Sequence, residues 1–117
     1  MHDCIVIGGG LIGMLTAREL VQGGLSVLLL ERGAIGREAS WAGGGILSPL
    51  CPWRYADAVN RLACWSQARY AALARELSGE SGVDPEWTRS GMLLLEPGDG
   101  ADAPAWAERF DVPLEQV

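Results

Sequence analysis

The chain has 117 residues, of which 49% are hydrophobic, and a formal charge of −6 carried by fifteen acids against nine arginines and no lysine. That length suits one domain at most, burying ~65% of its unfolded surface, and the acidic balance excludes the basic face that a nucleic-acid partner requires. No apolar run approaches the ~18 residues of a membrane span, and the N-terminus lacks the basic flank and cleavage site of a secretory signal, so the expectation is a cytoplasmic protein with no membrane partner.

The first element is a short run of β-branched residues, Ile5, Val6 and Ile7, which predicts a buried strand of a parallel sheet. It ends in glycine. Gly8, Gly10 and Gly13 stand in GxGxxG spacing, and Leu11, Leu15, Arg18 and Val21 follow on successive helical turns up to a C-cap at Gly23-Gly24. Val27 to Leu30 make a second apolar strand, closed by the acid Glu31.

Each part of this strand–turn–helix–strand unit has a physical reason if the ligand is a dinucleotide. Gly8 allows a sharp turn from strand to helix, Gly10 lets bare backbone approach a pyrophosphate, and Gly13 lets the helix lie close to the strand. The amides of Leu11 and Ile12 open the helix, where unsatisfied N–H groups and the macrodipole favour an anion. Glu31 ends the second strand about 20 residues on, where a carboxylate can accept hydrogen bonds from a ribose. A glycine-rich turn that binds nothing is the alternative, but the strand before the glycines, the helix after them and the acid beyond are the context a binding turn requires. These residues leave NAD and FAD both open.

Residues 32–38 carry two glycines and mixed charge and read as a loop. Ala39 to Pro49 is a cluster of small residues around Gly43, Gly44 and Gly45; no stable helix runs through those glycines, and the stretch reads either as a flexible linker or as a strip of bare backbone for a flat ligand. After Pro52 the spacing of Tyr55, Val59, Leu62, Tyr70, Leu73 and Leu77 predicts a helix over 55–77, with Trp65 and Tyr70 as packing residues. Ser78, Gly79, Ser81 and Gly82 are expected to stop it. Asp84-Pro85 predicts a turn, Gly91 to Glu96 a strand ended by Pro97-Gly98, and Asp102-Ala103-Pro104 the start of a last helix carrying Trp106 and Phe110. Cys4, Cys51 and Cys64 have neither CxxC nor zinc spacing and read as reduced thiols, so no disulfide and no metal are expected. His2, the single histidine, stands at the terminus without the framework of a hydrolytic triad.

The opening unit, the Glu31-Arg32-Gly33 step and the segment REASWAGGGILSP at 37–49 together resemble the FAD-dependent glycine and D-amino-acid oxidase family, and within it the glycine oxidases of thiamine biosynthesis. The helix to Leu77, then Ser81 to Asp84 and Gly91-Met92, extend the likeness to about Leu95. The resemblance implies an α/β fold: a Rossmann-like FAD-binding βαβ unit, incomplete beside the family's two-domain fold. On this view residues 1–50 form the FAD-binding unit with a flavin-contacting loop, and 51–117 continue the same domain as a truncated helix, strand and helix.

For the site, the resemblance implies that Leu11 and Ile12 offer amides to the FAD pyrophosphate at the Gly8, Gly10 and Gly13 turn. Glu31 and Arg32 would hold the adenosine ribose and its surroundings, and Ala39 and Ser40, the latter through its hydroxyl, would meet the pyrophosphate from the second loop. Gly44, Gly45 and Ile46 would pass along the flavin ring; the family usually has alanine where this chain has Gly43 and Gly44. In such enzymes the flavin takes a hydride from the carbon bearing the amine, the imine hydrolyses to an oxo acid, and oxygen is reduced to hydrogen peroxide. The substrate would be a small amino acid or amine and the full-length form a homo-oligomer. A carboxylate substrate calls for a bidentate arginine, which the family places far beyond position 117, so no catalytic residue is assigned in this chain.

Overall fold

The computed structural model describes residues 1–93 and 101–115. The chain divides into two compact units, Met1–Ile46 and Leu47–Val117.

The first unit is a βαβ unit. Strand β1 (Cys4–Ile7) and strand β2 (Val27–Leu30) pair in parallel, Cys4 opposite Val27 and Ile7 opposite Leu30, and helix α1 (Leu11–Gln22) connects them. The start of the pair is closed reciprocally: the Asp3 N–H donates to the Ser26 carbonyl at 2.9 Å, and the Ser26 N–H donates to the Asp3 carboxylate at 2.9 Å. Its end is closed by the Gly8 N–H on the Leu30 carbonyl, 2.8 Å. Helix α1 stops where expected, the chain reversing through Gly23-Gly24 so that the Leu25 N–H returns to the Leu20 carbonyl.

Alternation along β1 divides its side chains between a covered and an open face. Val6 faces Gly13 of α1, whereas Ile5 and Ile7 are 61% and 86% exposed. The strand expected to be buried on both faces is therefore covered on one, because a single helix covers one side of a two-stranded sheet. After β2 the chain runs through a loop to one helical turn, α2 (Ala39–Ala42), which ends at extended Gly43. The small-residue cluster is thus helical only ahead of its glycines.

In the second unit a 3-10 turn (Pro52–Arg54) leads to the long helix α3 (Asp57–Ser81), and helix α4 (Asp102–Phe110) returns to the turn. Helix α3 begins two residues later than the periodicity indicates and passes through Ser78 and Gly79. Termination waits for Gly82, whose φ of +71° reverses the chain and lets its N–H cap the Ser78 carbonyl; one interior glycine costs a helix only about 1 kcal/mol. Pro104 falls within the first turn of α4, and the Glu86 N–H donates to the Asp84 carboxylate at 2.9 Å in the expected turn. Gly91, Met92 and Leu93 are not in a strand, and the rest of the strand expected there, 94–96 with its Pro97-Gly98 stop, lies outside the described residues.

The packing of this unit is polar at its centre. Asn60 is 1% exposed, and its Nδ2 donates to the carbonyls of Pro52 at 2.9 Å and Tyr55 at 3.2 Å, tying the 3-10 turn to α3. Trp106 stacks on Phe110 and meets Trp53 edge-on, and Arg109 of α4 pairs with Asp57 at 2.9 Å. Trp65, read as a packing residue, is 61% exposed and lies under the Arg69 guanidinium. Val59 and Leu62 are exposed too, whereas Tyr70, Leu73 and Leu77 of the expected stripe are half-buried, together with Ala63, Cys64 and Ala71 beside them. Among the described residues, no helix is long and apolar enough to cross a membrane.

Three substitutions test this packing. A Cβ on Gly13 would fall on the Gly8 carbonyl oxygen, which is backbone and has no rotamer to yield, whereas one on Gly79 meets no atom within 4 Å. Gly13→Ala should therefore destabilise by about 1–3 kcal/mol and Gly79→Ala should stabilise by about 1 kcal/mol, both read from urea unfolding. Asn60→Ala leaves two carbonyls without their donor and should destabilise by about 1–3 kcal/mol in the same measurement.

Candidate functional site

The C-terminal ends of β1 and β2 lie side by side, so the turn after β1 and the loop after β2 meet above them. In open α/β sheets this is where ligands bind. Gly8 leaves β1 with φ +104°, a backbone region disfavoured for residues with a Cβ, and Gly10 is the N-cap residue of α1. Gly13 lies one turn into the helix against Gly8, which makes the close approach of helix and strand possible. A Cβ at Gly10 would meet Ser40 Oγ at 3.1 Å and no other atom within 4 Å. The bare backbone at Gly10 and the opening amides of α1 as donors, with a nearby carboxylate as acceptor, form a set that fits a dinucleotide diphosphate with its sugar.

Glu31 turns back into this turn. Its Oε2 accepts the Gly9 N–H at 2.7 Å and its Oε1 accepts the Gly33 N–H at 2.9 Å. These amides, Gly9 first and then Gly33, hold the carboxyl below the usual carboxylate range against the opposing effect of partial burial, with a smaller contribution from the neighbouring Arg32. A carboxylate has about four acceptor positions, so lone pairs remain for a further donor. Gly9 was not singled out by the glycine spacing, where it is a variable position. Yet it is buried, its carbonyl accepts the Gly36 N–H at 2.8 Å, and a Cβ on it would stand 3.1 Å from Glu31 Cβ. The available signal was the strand-ending acid itself, whose lone pairs need donors, beside a run of three glycines.

The second loop reaches the same place. Ser40, in α2, accepts the Leu11 N–H on its hydroxyl oxygen at 2.8 Å. The Leu11 amide, expected to face a phosphate directly, thus has a side-chain partner, and the Ser40 hydroxyl keeps its own proton to donate. Ile12, the next residue of α1, is exposed at the same end, and Ala39 precedes Ser40 in α2. Arg32 forms an exposed ion pair with Glu38, 3.0 Å, and the Arg37 guanidinium lies 4.0 Å over the Trp41 ring. Gly8, Gly10, Leu11, Gly13, Glu31 and Ser40 are brought together; Gly44 and Gly45 are not tied to them, and a Cβ on either would meet no atom within 4 Å. Ile46 is exposed at the end of the unit. Among the described residues, no three His, Cys, Asp or Glu side chains gather where they could hold a metal, and Cys4, Cys51 and Cys64 are free thiols.

The lowered pKa sets the pH range of the clasp. Its contribution is fully present above the ordinary carboxylate value, ~4.3, and is lost as pH falls through the lower value Glu31 has in the folded chain. The Gly9 and Gly33 amides should accordingly keep their chemical shifts from pH 7 down into the ordinary carboxylate range and move only below it, in an NMR titration.

Comparison with known proteins agrees with this geometry. Residues 3–116 match the DAO family model, described as FAD dependent oxidoreductase. The chain is 54% identical to a glycine oxidase of Pseudomonas aeruginosa and 50% identical to one of Pseudomonas putida, each over 97% of this chain and 31% of the relative. A glycine oxidase of Bacillus subtilis is 31% identical over 95% of the chain and 33% of its own length. The chain thus spans about a third of the length of these curated relatives. On the extent of the family match and these identities, the chain belongs to the DAO family of FAD dependent oxidoreductases.

Proposed function

We propose that this chain is the cofactor-binding part of an FAD-dependent oxidoreductase that oxidises the C–N bond of a small amino acid or amine, in the manner of a glycine oxidase. The observation that carries the reading is the Gly9–Glu31 hydrogen bond, which joins the acid ending β2 to the glycine turn opening α1. The identity to glycine oxidases supports the substrate class.

In this reading Gly8, Gly10 and Gly13 shape the turn and Ile12 offers an amide to the pyrophosphate. Leu11 acts together with Ser40, whose hydroxyl accepts the Leu11 N–H and donates its own proton to a phosphate oxygen. The remaining lone pairs of Glu31 take the adenosine ribose, with Arg32 beside it, and Ala39 contacts the pyrophosphate from the second loop. Gly44, Gly45 and Ile46 line the flavin ring with main-chain groups. Bound FAD supplies the hydride acceptor, and the protein orients the reactants and tunes the ring. Residues 1–50 act as the binding unit and 51–117 continue it, in a cytoplasmic, homo-oligomeric enzyme whose substrate-clamping groups belong to other parts of the fold.

Titration of the 117-residue chain with FAD and, separately, NAD tests the reading. FAD should bind weakly and more tightly than NAD, Gly10→Val should abolish binding by placing a side chain in the path of the diphosphate, and Glu31→Ala should weaken it by roughly tenfold. The chain alone should release no peroxide from glycine. Equal FAD affinity in wild type and Gly10→Val would overturn the assignment of this turn.

A further inference from the structure

We infer that Glu31 is a positioning residue for the phosphate turn, holding Gly9 in place independently of any contact with a sugar. The inference rests on the cofactor reading above. It starts from how Gly9 is held: its N–H donates to Glu31 Oε2 at 2.7 Å and its carbonyl accepts the Gly36 N–H at 2.8 Å. Both polar groups of one residue in the turn are thus bound by the segment that follows β2. The other carboxylate oxygen takes the Gly33 N–H at 2.9 Å, which anchors that segment in turn.

Sterics and charge point the same way. A Cβ on Gly9 would meet Glu31 Cβ at 3.1 Å, Glu31 Cγ at 3.2 Å and Ile35 Cγ1 at 3.2 Å. The Glu31 stem therefore lies close against the turn, and a side chain at residue 9 would push Glu31 and Ile35 outward by a few tenths of an ångström. Two N–H groups converging on two oxygens require an acceptor at both positions. A carboxylate provides this, whereas the amide of glutamine presents an acceptor to one N–H and a second donor to the other. Gly9 directly precedes the N-cap Gly10 of α1, so releasing its N–H loosens the backbone that aims the opening amides at a diphosphate. A site is only as good as the rigidity of what supports it.

Inorganic pyrophosphate, which has no sugar, separates this role from ribose binding. The amides of Leu11, Ile12 and Gly13 are followed by NMR while the wild-type chain, Glu31→Gln and Glu31→Ala are titrated with sodium pyrophosphate and with ADP. The expected result is that both variants lose about fivefold or more in affinity for pyrophosphate, with a similar or greater loss for ADP. Without ligand the Gly9 amide should also exchange faster with solvent in Glu31→Ala, and the Gly9 or the Gly33 amide should do so in Glu31→Gln. Unchanged pyrophosphate affinity with weakened ADP binding would overturn the inference and leave Glu31 acting at the sugar alone. Absence of any shift in the wild-type chain would overturn the cofactor reading itself, and the two failures are told apart by whether wild type titrates. Cross-strand amide shifts of Val27 to Leu30 report whether each variant keeps its fold; should Glu31→Ala lose them, the isosteric Glu31→Gln carries the comparison.

Discussion

The charged hydrogen bond from the Gly9 amide to the Glu31 carboxylate is the constraint around which the first unit is arranged. A parallel pair of strands has no hairpin to set the relation of its two ends, and the connecting helix touches the turn after β1 at Gly13 without holding the loop after β2. Main-chain bonds set the register of β1 against β2, and that ladder ends at Gly8. Beyond that point the two loops, which carry Gly8, Gly9, Gly10, Gly33 and Gly36, are joined along the backbone by the Gly36 N–H on the Gly9 carbonyl. A carboxylate with donors from both loops adds a side-chain tie, and Ser40 on the Leu11 amide adds a second from further along the chain.

The same unit shows what this stretch of chain lacks. One helix on a two-stranded sheet leaves Ile5, Ile7 and Leu30 open on or beside the uncovered face, although β-branched runs of this kind favour burial on both sides. Ala107, in the second unit, is the one buried hydrophobic side chain among the described residues. In that unit cohesion comes from Asn60, which bonds two carbonyls of the preceding turn, and from the aromatic contacts of Trp53, Trp106 and Phe110. A buried amide with partners favours one arrangement more strongly than apolar contact does, because any other arrangement strands its donors.

The chemistry follows from where polar groups are held. Helix α1 opens at the C-terminal edge of the sheet, the acid of β2 lies beside that opening, and a hydroxyl from the next loop stands over Gly10. Amide donors, a hydroxyl and a carboxylate acceptor are thereby grouped on backbone that a parallel pair already orients, and on the proposed reading they serve a diphosphate and a sugar. That grouping is characteristic of dinucleotide sites.

Much of this was legible in the linear order of residues. The β-branched run, the GxGxxG spacing, the helical period to Gly23 and the acid at 31 are local patterns, and local patterns determine which elements form and in what sequence. Steric and contact partners are not local. That Gly9 lies against Glu31, that Ser40 reaches Leu11, and that Asn60 rather than Val59 or Leu62 faces inward depended on which surfaces meet in three dimensions. The end of α3 at Gly82 was likewise a contest between weak breakers, decided by the residue whose positive φ let the chain reverse. The sequence alone determined a strand–turn–helix–strand unit with an acid at its edge; tertiary structure decided which donors that acid holds, because hydrogen-bond partners 22 residues apart are chosen by packing and not by spacing along the chain.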